Sequence, residues 1–292
     1  MEITSLRAFV QVARDRSFSQ AAEALFLTQP AVSKRIASLE ADLGAMLFDR
    51  VGRQVFLTEA GRHLLPRAEQ ILAGIADIQQ ELSNLSGRVS GSLAMGTSHH
   101  IGLHRLPPIL RRYTDLYPEV DLDIRFMSSE RISQAVVEGE LELGVITLPL
   151  QPIEPLQLQP VWRDPLCFVV AEDHPLAEQR KLRPEELLAH PAVLPTKSTY
   201  TRILLEQAFA KVPGEIRCGL STDYLETLKM MASIGLGWSL LPEIMLGPGL
   251  VTLQVDGILL ERSLGIVSHR QRTLSNAARA MQQQLLAVTD SA

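Results

Sequence analysis

The chain has 292 residues, of which 46% are hydrophobic and 21% charged, a composition that favours two or three globular domains over a disordered chain. The two cysteines, Cys167 and Cys218, are too few for a disulfide framework, and no apolar run of about 18 residues predicts a membrane span. The net charge of −5 excludes a uniformly basic nucleic-acid binder, although residues 1–67 carry +2 and the remainder −7.

The N-terminus shows no basic-then-apolar signal segment. We therefore expect a soluble, cytoplasmic protein with no membrane partner. The mild positive charge of residues 1–67 is compatible with, but does not prove, an N-terminal module that contacts the phosphates of a nucleic acid.

Three helices are predicted in the first forty-odd residues. An amphipathic stripe over 4–14 is typical of a first helix, and Ser19 is expected to cap a short second helix. Thr28 is expected to cap a third helix, in whose first turn Pro30 is tolerated because its missing N–H would have no intrahelical partner. The side of this helix expected to be buried carries Val32, Ile36, Leu39 and Leu43.

Two short helices joined by a turn are typical of a helix-turn-helix, whose second helix enters the DNA major groove. A plain helical hairpin with a solvated polar face is the alternative. Strand-like runs at 47–50 and 54–57 predict a basic wing placed to contact the phosphate backbone. The candidate DNA contacts on the third helix and wing are Gln29, Pro30, Ser33, Lys34, Arg35, Ser38, Arg50 and Arg53.

A long helix is predicted from a cap at Thr58 to about Leu85. Its apolar residues alternate at spacings of four and three over three heptads, which predicts a dimerising helix. An amphipathic helix packed on its own domain is the alternative, but it prefers a wider apolar stripe. Pro66 is expected to kink the helix near its start, and residues 87–91 are expected to form a linker. The predicted dimerisation row is Leu64, Ala68, Ile71, Ile75, Ile78, Leu82 and Leu85.

The N-terminal sixty residues resemble the LysR-type transcriptional regulators. The resemblance is carried by Leu6-Arg-Ala-Phe9, Ser17-Phe-Ser-Gln-Ala-Ala-Glu-Ala-Leu25, Thr28-Gln-Pro-Ala-Val-Ser-Lys34, Ile36, Leu39-Glu40, Leu43-Gly44, Leu47-Phe48, Arg50 and Leu57-Thr-Glu-Ala-Gly61. The order of elements in 91–292 also agrees with that family. The mild charge of the DNA-binding end departs from its pattern.

The resemblance implies a multidomain α+β and α/β fold: a winged helix-turn-helix, a linker helix that dimerises, and a periplasmic-binding-protein-like effector domain of two α/β subdomains. The expected boundaries are 1–58, 59–90 and 91–292, with subdomain I at 91–162 plus 267–292 and subdomain II at 163–266. The implied partners are promoter DNA, a small-molecule effector, a second copy of the chain in a homodimer or homotetramer, and RNA polymerase.

The C-terminal part is expected to begin with a mainly parallel sheet. Strands at 92–97, 120–126 and 143–147 alternate with helices at 99–113 and 130–138. Ligands of such sheets bind outside the carboxyl ends of the strands. The side chains expected at those ends are Thr97, Ser98, His99, Ser128, Ser129 and Thr147.

A second unit repeats this pattern. Its expected strands are 166–170, 192–195, 216–222 and 237–242, with a helix opening at 196–202 and another at Tyr224. The chain returns through 264–268 and closes with a helix at 274–288. Two strands near 162 and 266 are expected to join the subdomains.

Helix entries near Ser98 and Ser198 suit an anion, most simply a carboxylate, because helix N-termini present free N–H groups. Ordinary capping is the alternative for each Ser or Thr, and a neutral ligand is the alternative if Lys197 and Arg202 face solvent. By resemblance, effector contacts fall on Thr97, Ser98, His99, Ser128, Ser129, Thr147 and Thr196, with Tyr200, Arg202 and Tyr224 as further candidates and Trp238 expected in the core or at the rim. No cofactor is expected.

Two other functions compete with DNA-bound regulation. The first is a metal-dependent enzyme, because His100 and His104 stand four apart beside His99, a zinc-ligand spacing. Against it, no Asp or Glu accompanies them nearby in the sequence, and no nucleophile elbow, phosphate loop or Cys-x-x-Cys motif is present. A small-molecule-binding protein without a DNA role is the second alternative, against which stand the ninety residues before Gly91.

Overall fold

A computed structural model describes residues 1–51, 54–179 and 181–288. It divides into two compact units, Met1–Ser86 and Gly87–Ala292. Within the described ranges, every helix is too short or too polar to cross a membrane.

In residues 1–51 and 54–86 the first unit forms four helices and a hairpin. They are α1 (Ile3–Asp15), α2 (Phe18–Ala24), α3 (Gln29–Leu43), β1 (Phe48–Val51), β2 (Gln54–Leu57) and α4 (Glu59–Asn84). The predicted helix-turn-helix, wing and long helix are therefore confirmed. Thr28 and Thr58 cap α3 and α4 by accepting from the backbone N–H groups of Ala31 and Gly61.

One predicted cap is wrong. Ser17, not Ser19, caps α2, because its hydroxyl accepts from the backbone N–H of Gln20 at 3.3 Å. The helix begins one residue after this cap, at Phe18, so Ser19 already lies in its first turn.

The core of the first unit lies between α1, α2, α3 and the hairpin. The rings of Phe9 and Phe18 lie 5.4 and 5.8 Å from that of Phe48. α3 adds three buried side chains, Val32, Ile36 and Leu39. Leu43 is 42% exposed, so its predicted burial is wrong: it is the last residue of α3, and Gly44 turns the chain away with a φ of 65°.

The strands of the second unit are β3 (Gly91–Thr97), β4 (Val120–Phe126), β5 (Leu143–Thr147), β6 (Leu156–Ala171), β7 (Ala192–Leu194), β8 (Cys218–Ser221), β9 (Ser239–Pro242), β10 (Leu250–Leu253) and β11 (Leu260–His269). Its helices are α5 (His99–His104), α6 (Pro107–Leu116), α7 (Ser129–Glu138), α8 (Pro184–Leu188), α9 (Tyr200–Phe209), α10 (Leu225–Ser233) and α11 (Asn276–Leu286). A 3-10 turn, Glu243–Met245, follows β9.

The main sheet is mixed: the parallel arrangement expected for the strands that open the C-terminal part is confirmed for β3, β4 and β5, and antiparallel strands extend the sheet beyond them. Its order is β10-β6-β11-β5-β3-β4, with β9 also paired to β6. Only the β4-β3-β5 part is parallel, while β6, β9, β10 and β11 pair antiparallel. The two long strands β6 and β11 run side by side, with Leu264 opposite Trp162, and so provide the two expected connections between subdomains.

The predicted helix over 99–113 is two helices. Pro107 and Pro108 interrupt it, because a proline lacks the backbone N–H of the helical ladder and its ring clashes with the carbonyl four residues earlier. The break turns the chain into α6, whose Ile109 and Tyr113 are buried in the core of subdomain I.

Candidate functional site

The recognition face lies on α3. The predicted contacts Gln29, Pro30, Lys34 and Ser38 are exposed, while Ser33 and Arg35 are half-buried. The Gln29 amide donates to the Ser33 hydroxyl one turn along the helix at 3.1 Å. This face offers donors and acceptors of the kind that read base edges.

The predicted wing contacts are partly outside the described residues. Arg50 lies in β1 opposite Val55 of β2. Arg53 lies outside the described residues.

The predicted dimerisation row divides into two parts along α4. Ala68 is fully buried in the core of the first unit and is not available to a dimer interface, whereas Leu64 is half-buried against that core and its role in a dimer stays a prediction. Ile75 is half-buried. The remaining members of the row are exposed: Ile71 by 43%, Ile78 by 59%, Leu82 by 64% and Leu85 by 81%.

A cleft of about 380 Å³ opens in the second unit at the carboxyl ends of the parallel strands. The first turns of α5 and α7 border it from one subdomain, and those of α9 and α10 from the other. Its lining is Ser98, His99, His100, Phe126, Met127, Ser128, Ser129, Glu130, Arg131, Thr147, Pro195, Thr199, Tyr200, Thr201, Asp223, Tyr224, Leu225 and Arg262.

A buried guanidinium, that of Arg262 on β11, connects both sides of the cleft. Its Nε donates to Oδ2 of Asp164 at 2.7 Å, its Nη1 to the Thr201 hydroxyl at 2.6 Å, and its Nη2 lies 2.8 Å from Nε2 of His100. Arg262 is 6% exposed and Asp164 1%. Such a pair is stable in the interior because the donors and acceptors satisfy each other.

The tautomer of His100 follows from this contact. A guanidinium only donates, so His100 Nε2 accepts and its proton resides on Nδ1, which lies 3.3 Å from the Ser98 hydroxyl. Burial, and then the charge of Arg262, holds the pKa of His100 well below 6.5. The imidazole therefore stays neutral and links the Arg262 guanidinium, through its two ring nitrogens, to the hydroxyl of Ser98 in the cleft lining.

Two carboxylates also line the cleft. Glu130 accepts from the backbone N–H of Tyr200 at 2.8 Å, across the subdomain boundary. Asp223 accepts from the Thr196 hydroxyl at 2.6 Å. Burial raises the pKa of the Tyr200 phenol, which lies 3.4 Å from the Ser133 hydroxyl. The cleft thus offers one carboxylate acceptor from each subdomain, with the hydroxyls of Ser98, Ser128 and Ser129 on the same side as Glu130.

Seven of the predicted effector contacts line the cleft. They are Ser98, His99, Ser128, Ser129, Thr147, Tyr200 and Tyr224. Ser128 also caps α7, and the Ser129 hydroxyl accepts from the backbone N–H of Thr147 at 3.1 Å. Their roles toward an effector stay predictions.

Three predicted contacts are placed elsewhere. Thr97 is fully buried and donates to the Val145 carbonyl, which holds β3 to β5. Arg202 is 2% exposed and pairs with Glu206 one turn along α9. Thr196 is outside the lining and holds Asp223; Thr199, not Ser198, caps α9.

Sequence reasoning missed several lining residues that carry charge. Glu130 and Arg131 directly follow the strand-end serines, and Asp223 stands between β8 and α10, so the rule of strand carboxyl ends would have found them. Arg262 stands between Glu261 and Ser263 in β11, so no local pattern marks it as a buried charge. Trp238 is fully buried, as expected for a core residue.

The three histidines do not act together. His100 is held by Arg262, whereas His99 Nδ1 and His104 Nε2 each lie 3.5 Å from the Glu226 carboxylate of α10. Glu226 corrects the inference from sequence that no acidic side chain accompanies them. Among residues 1–51, 54–179 and 181–288, no group of three or more His, Cys, Asp or Glu could hold a metal ion.

Comparison with known proteins decides the family. Residues 3–62 match the family "Bacterial regulatory helix-turn-helix protein, lysR family", and residues 86–290 match "LysR substrate binding domain". The chain belongs to the LysR family. As a LysR-family transcriptional regulator it is a DNA-binding protein with an effector-binding domain, and not an enzyme.

Relatives agree along the whole length of this LysR-family regulator. The RuBisCO operon transcriptional regulator of Allochromatium vinosum is 30% identical over 98% of this chain and 96% of its own. A full-length OxyR variant of Pseudomonas aeruginosa is 23% identical with a TM-score of 0.72, over 98% of this chain and 94% of its own. The effector-binding domain of QuiR in complex with shikimate is 17% identical with a TM-score of 0.63, over 68% of this chain and 97% of its own.

Proposed function

We propose that this regulator binds in its cleft a small organic acid that also carries hydroxyl or amino groups. The observation that carries the proposal is Arg262, a buried cation connected through His100 to Ser98 at the cleft surface. The carboxylate of the effector would lie near Ser98 and the first turn of α7, where the hydroxyls and free backbone N–H groups are donors.

The carboxylates of Glu130 and Asp223 argue for donors elsewhere on the same ligand. A bare inorganic anion has no N–H or O–H group to donate to these two carboxylates. A hydroxy or amino acid has such donors and can form hydrogen bonds with both. Shikimate, the ligand of the QuiR domain, is a hydroxylated carboxylate of this chemistry.

A thermal-shift screen of hydroxy acids, amino acids, sulfur oxyanions and neutral sugars tests the ligand class. On the best hit, Ser98→Ala should weaken binding about ten- to a hundredfold, as expected when one hydrogen bond to a charged ligand is lost. Thr252→Ala, an exposed hydroxyl on β10 outside the cleft lining, is the matched control. Hits among neutral compounds only, or an acid whose affinity ignores Ser98→Ala, would contradict the proposal.

We further propose that α3 reads promoter sequence and that the wing contacts phosphates. Gln29→Ala should relax base preference, because its amide can donate and accept at a base edge, whereas Arg53→Ala should weaken binding to every sequence. Gel shifts on promoter and random DNA at several salt concentrations separate the two effects, with Gln80→Ala on α4 as control. Equal losses for both variants on every fragment would refute this division of roles.

Dimerisation through the exposed part of the α4 row is our third proposal. Ile71→Asp with Ile78→Asp would place two charges in an apolar interface and should reduce the mass seen by light scattering. Gln70→Asp with Gln79→Asp adds the same charge at exposed polar positions and should keep the mass. An unchanged mass for the isoleucine variant would refute the interface.

The proposed organisation follows the sequence expectation: a DNA-binding module at 1–58, a dimerising helix and hinge at 59–90, and an effector domain at 91–292. A protein of this organisation that binds promoters works where the chromosome lies, so we place it in the cytoplasm. Self-assembly into dimers or tetramers, and contact with RNA polymerase, belong to the same proposal.

A further inference from the structure

Two histidines of α5 and one glutamate of α10 meet across the subdomain boundary, beside the cleft. His99 Nδ1 and His104 Nε2 each lie 3.5 Å from an oxygen of the Glu226 carboxylate. Because α5 belongs to subdomain I and α10 to subdomain II, these contacts join the two walls of the cleft. We refer to the three side chains as the clasp.

The carboxylate of the clasp is buried without a hydrogen bond. The Glu226 side chain is 34% exposed, but both of its carboxylate oxygens are buried and have no hydrogen-bond partner among the described residues. Burying an ionised carboxylate without a donor is costly. A positive charge on either histidine offsets that cost, because the 3.5 Å contact then becomes an ion pair.

The ring of His99 also packs against one aromatic ring from each subdomain. Its centre is 5.9 Å from that of Phe126, at the end of β4, and 5.7 Å from that of Tyr224, which directly precedes α10. All three rings line the cleft. Opening the cleft would therefore separate His99 from Tyr224 and from Glu226 in one movement.

The groups around the clasp differ in whether they change charge near neutral pH. Histidine is the side chain whose charge changes between pH 5 and 8, whereas Asp, Glu, Tyr, Lys and Arg ordinarily titrate outside that range. Burial, and then the charge of Arg262, keeps the pKa of His100 well below 6.5, so this third histidine stays neutral. Among the described groups that face the clasp, His99 and His104 are then the ones that gain a proton. The groups of constant charge around them are Arg105 of α5, Arg112 of α6, Lys229 of α10, Arg262 of β11 and the cleft carboxylates Glu130 and Asp223.

From these observations we propose that the clasp closes the cleft more firmly as the pH falls from 8 to 6. With neutral histidines, closure buries the Glu226 carboxylate without a charge to balance it. With His99 or His104 protonated, closure places an imidazolium against that carboxylate, so the closed arrangement binds protons more tightly than the open one. The ratio of closed to open molecules should rise about two- to tenfold, the range for partly exposed ion pairs.

The clasp would make the effector and the proton assist each other. A ligand that prefers the closed cleft shifts the same equilibrium as protonation does, so each raises the affinity for the other by one common factor. This consequence rests on the proposed function of the cleft, whereas closure by the clasp does not. A cleft that closes with pH while its affinity for an effector stays constant would refute the coupling alone.

Pulsed electron paramagnetic resonance between two spin labels measures closure without an effector. The labels are attached at Gln134→Cys on α7 and Lys197→Cys before α9, both exposed and outside the cleft lining, after Cys167→Ser and Cys218→Ser remove the native thiols. Labelled full-length chains are mixed with an excess of unlabelled chains, so that distances within one chain dominate. We expect two populations of distance, with the shorter one gaining about two- to tenfold over the longer between pH 8 and pH 6.

Substitutions in the clasp should remove this pH dependence. Glu226→Gln and, independently, His99→Gln combined with His104→Gln each leave no charge pair to form. Glu215→Gln is the matched control, because it removes an exposed carboxylate from a loop of the same subdomain and should keep the response to pH. Circular dichroism at both pH values checks that each variant is folded, and if one clasp variant fails to fold, the other decides.

Two results would overturn the clasp. One is the same distribution of distances at pH 6 and pH 8 in the labelled protein with an intact clasp. The other is a response to pH that survives Glu226→Gln or the double histidine variant in folded protein, since the proton would then bind elsewhere.

Discussion

Replacing the buried cation at the centre of the cleft gives the sharpest test of the structure. Arg262→Met keeps most of the side-chain volume and removes the guanidinium. Among the described residues, the carboxylate of Asp164, 1% exposed, would then keep Arg105 at 3.8 Å as its one remaining ion-pair partner. His100 and Thr201 would each lose a hydrogen bond as well.

The expected loss in free energy of unfolding is about 3–5 kcal/mol, the usual result of removing one partner of a buried pair. The double variant Arg262→Met with Asp164→Leu should be more stable than Arg262→Met alone. The reason is that an apolar replacement of the whole pair leaves no buried charge, whereas each single substitution leaves one.

The same two strands supply the control. Arg163 of β6 and Glu261 of β11 form an ion pair at 2.9 Å, but Arg163 is 72% exposed. Water screens such a pair, so Arg163→Met should leave the urea midpoint nearly unchanged.

Urea unfolding at neutral pH, followed by Trp238 fluorescence and by circular dichroism, gives the comparison, with equal slopes required before free energies are subtracted. The reasoning fails if Arg262→Met unfolds at the same midpoint as Arg163→Met. It fails equally if the double variant is less stable than the single.

Two further predictions concern a pair of glycines and one histidine. Gly61→Ala should lower the free energy of unfolding of the first unit by about 1–3 kcal/mol, because the new Cβ would clash with the Leu47 backbone. Gly74→Ala on the same helix meets no atom within 4 Å and should raise that free energy by about 1 kcal/mol. Thermal melts that rank the two variants in the opposite order would contradict this prediction. His100→Gln should make the protein less sensitive to acid. The pKa of His100 lies well below 6.5 in the folded protein, so below about pH 6.5 the unfolded chain binds more protons than the folded one. The free energy of unfolding therefore decreases as the pH is lowered, by up to about 1.4 kcal/mol per pH unit. Urea midpoints across this pH window should fall less steeply in the variant, and parallel profiles would be evidence against a buried neutral His100.

Local signals in the sequence were enough to predict most of the elements. The helical periodicity of apolar residues and the N-caps specify α3 and α4. Both signals are local, since Thr28 and Thr58 directly precede the helices they cap. The bounds of β4 and β5 also agree with prediction, because alternating or continuous apolar runs end at residues that favour turns. Pro107 and Pro108 are a local signal for the split between α5 and α6, which the single predicted helix over 99–113 leaves out.

Strand-end positions made part of the cleft predictable. Ser98, Ser128, Ser129 and Thr147 follow parallel strands, and parallel strands end at one edge of a sheet whatever the rest of the chain does. That rule locates backbone positions and not side-chain directions. It therefore could not show that Thr97 turns inward to the Val145 carbonyl.

Tertiary structure alone decided how the buried charge of Arg262 is paired. Arg262 contacts Asp164, Thr201 and His100, which are 98, 61 and 162 residues away in sequence, and no local pattern relates such positions. The α4 row shows the same division: Ala68 and Ile78 belong to the same predicted heptad row, yet Ala68 is fully buried and Ile78 is 59% exposed. Periodicity states which side chains share a face, but what covers that face depends on where distant segments pack.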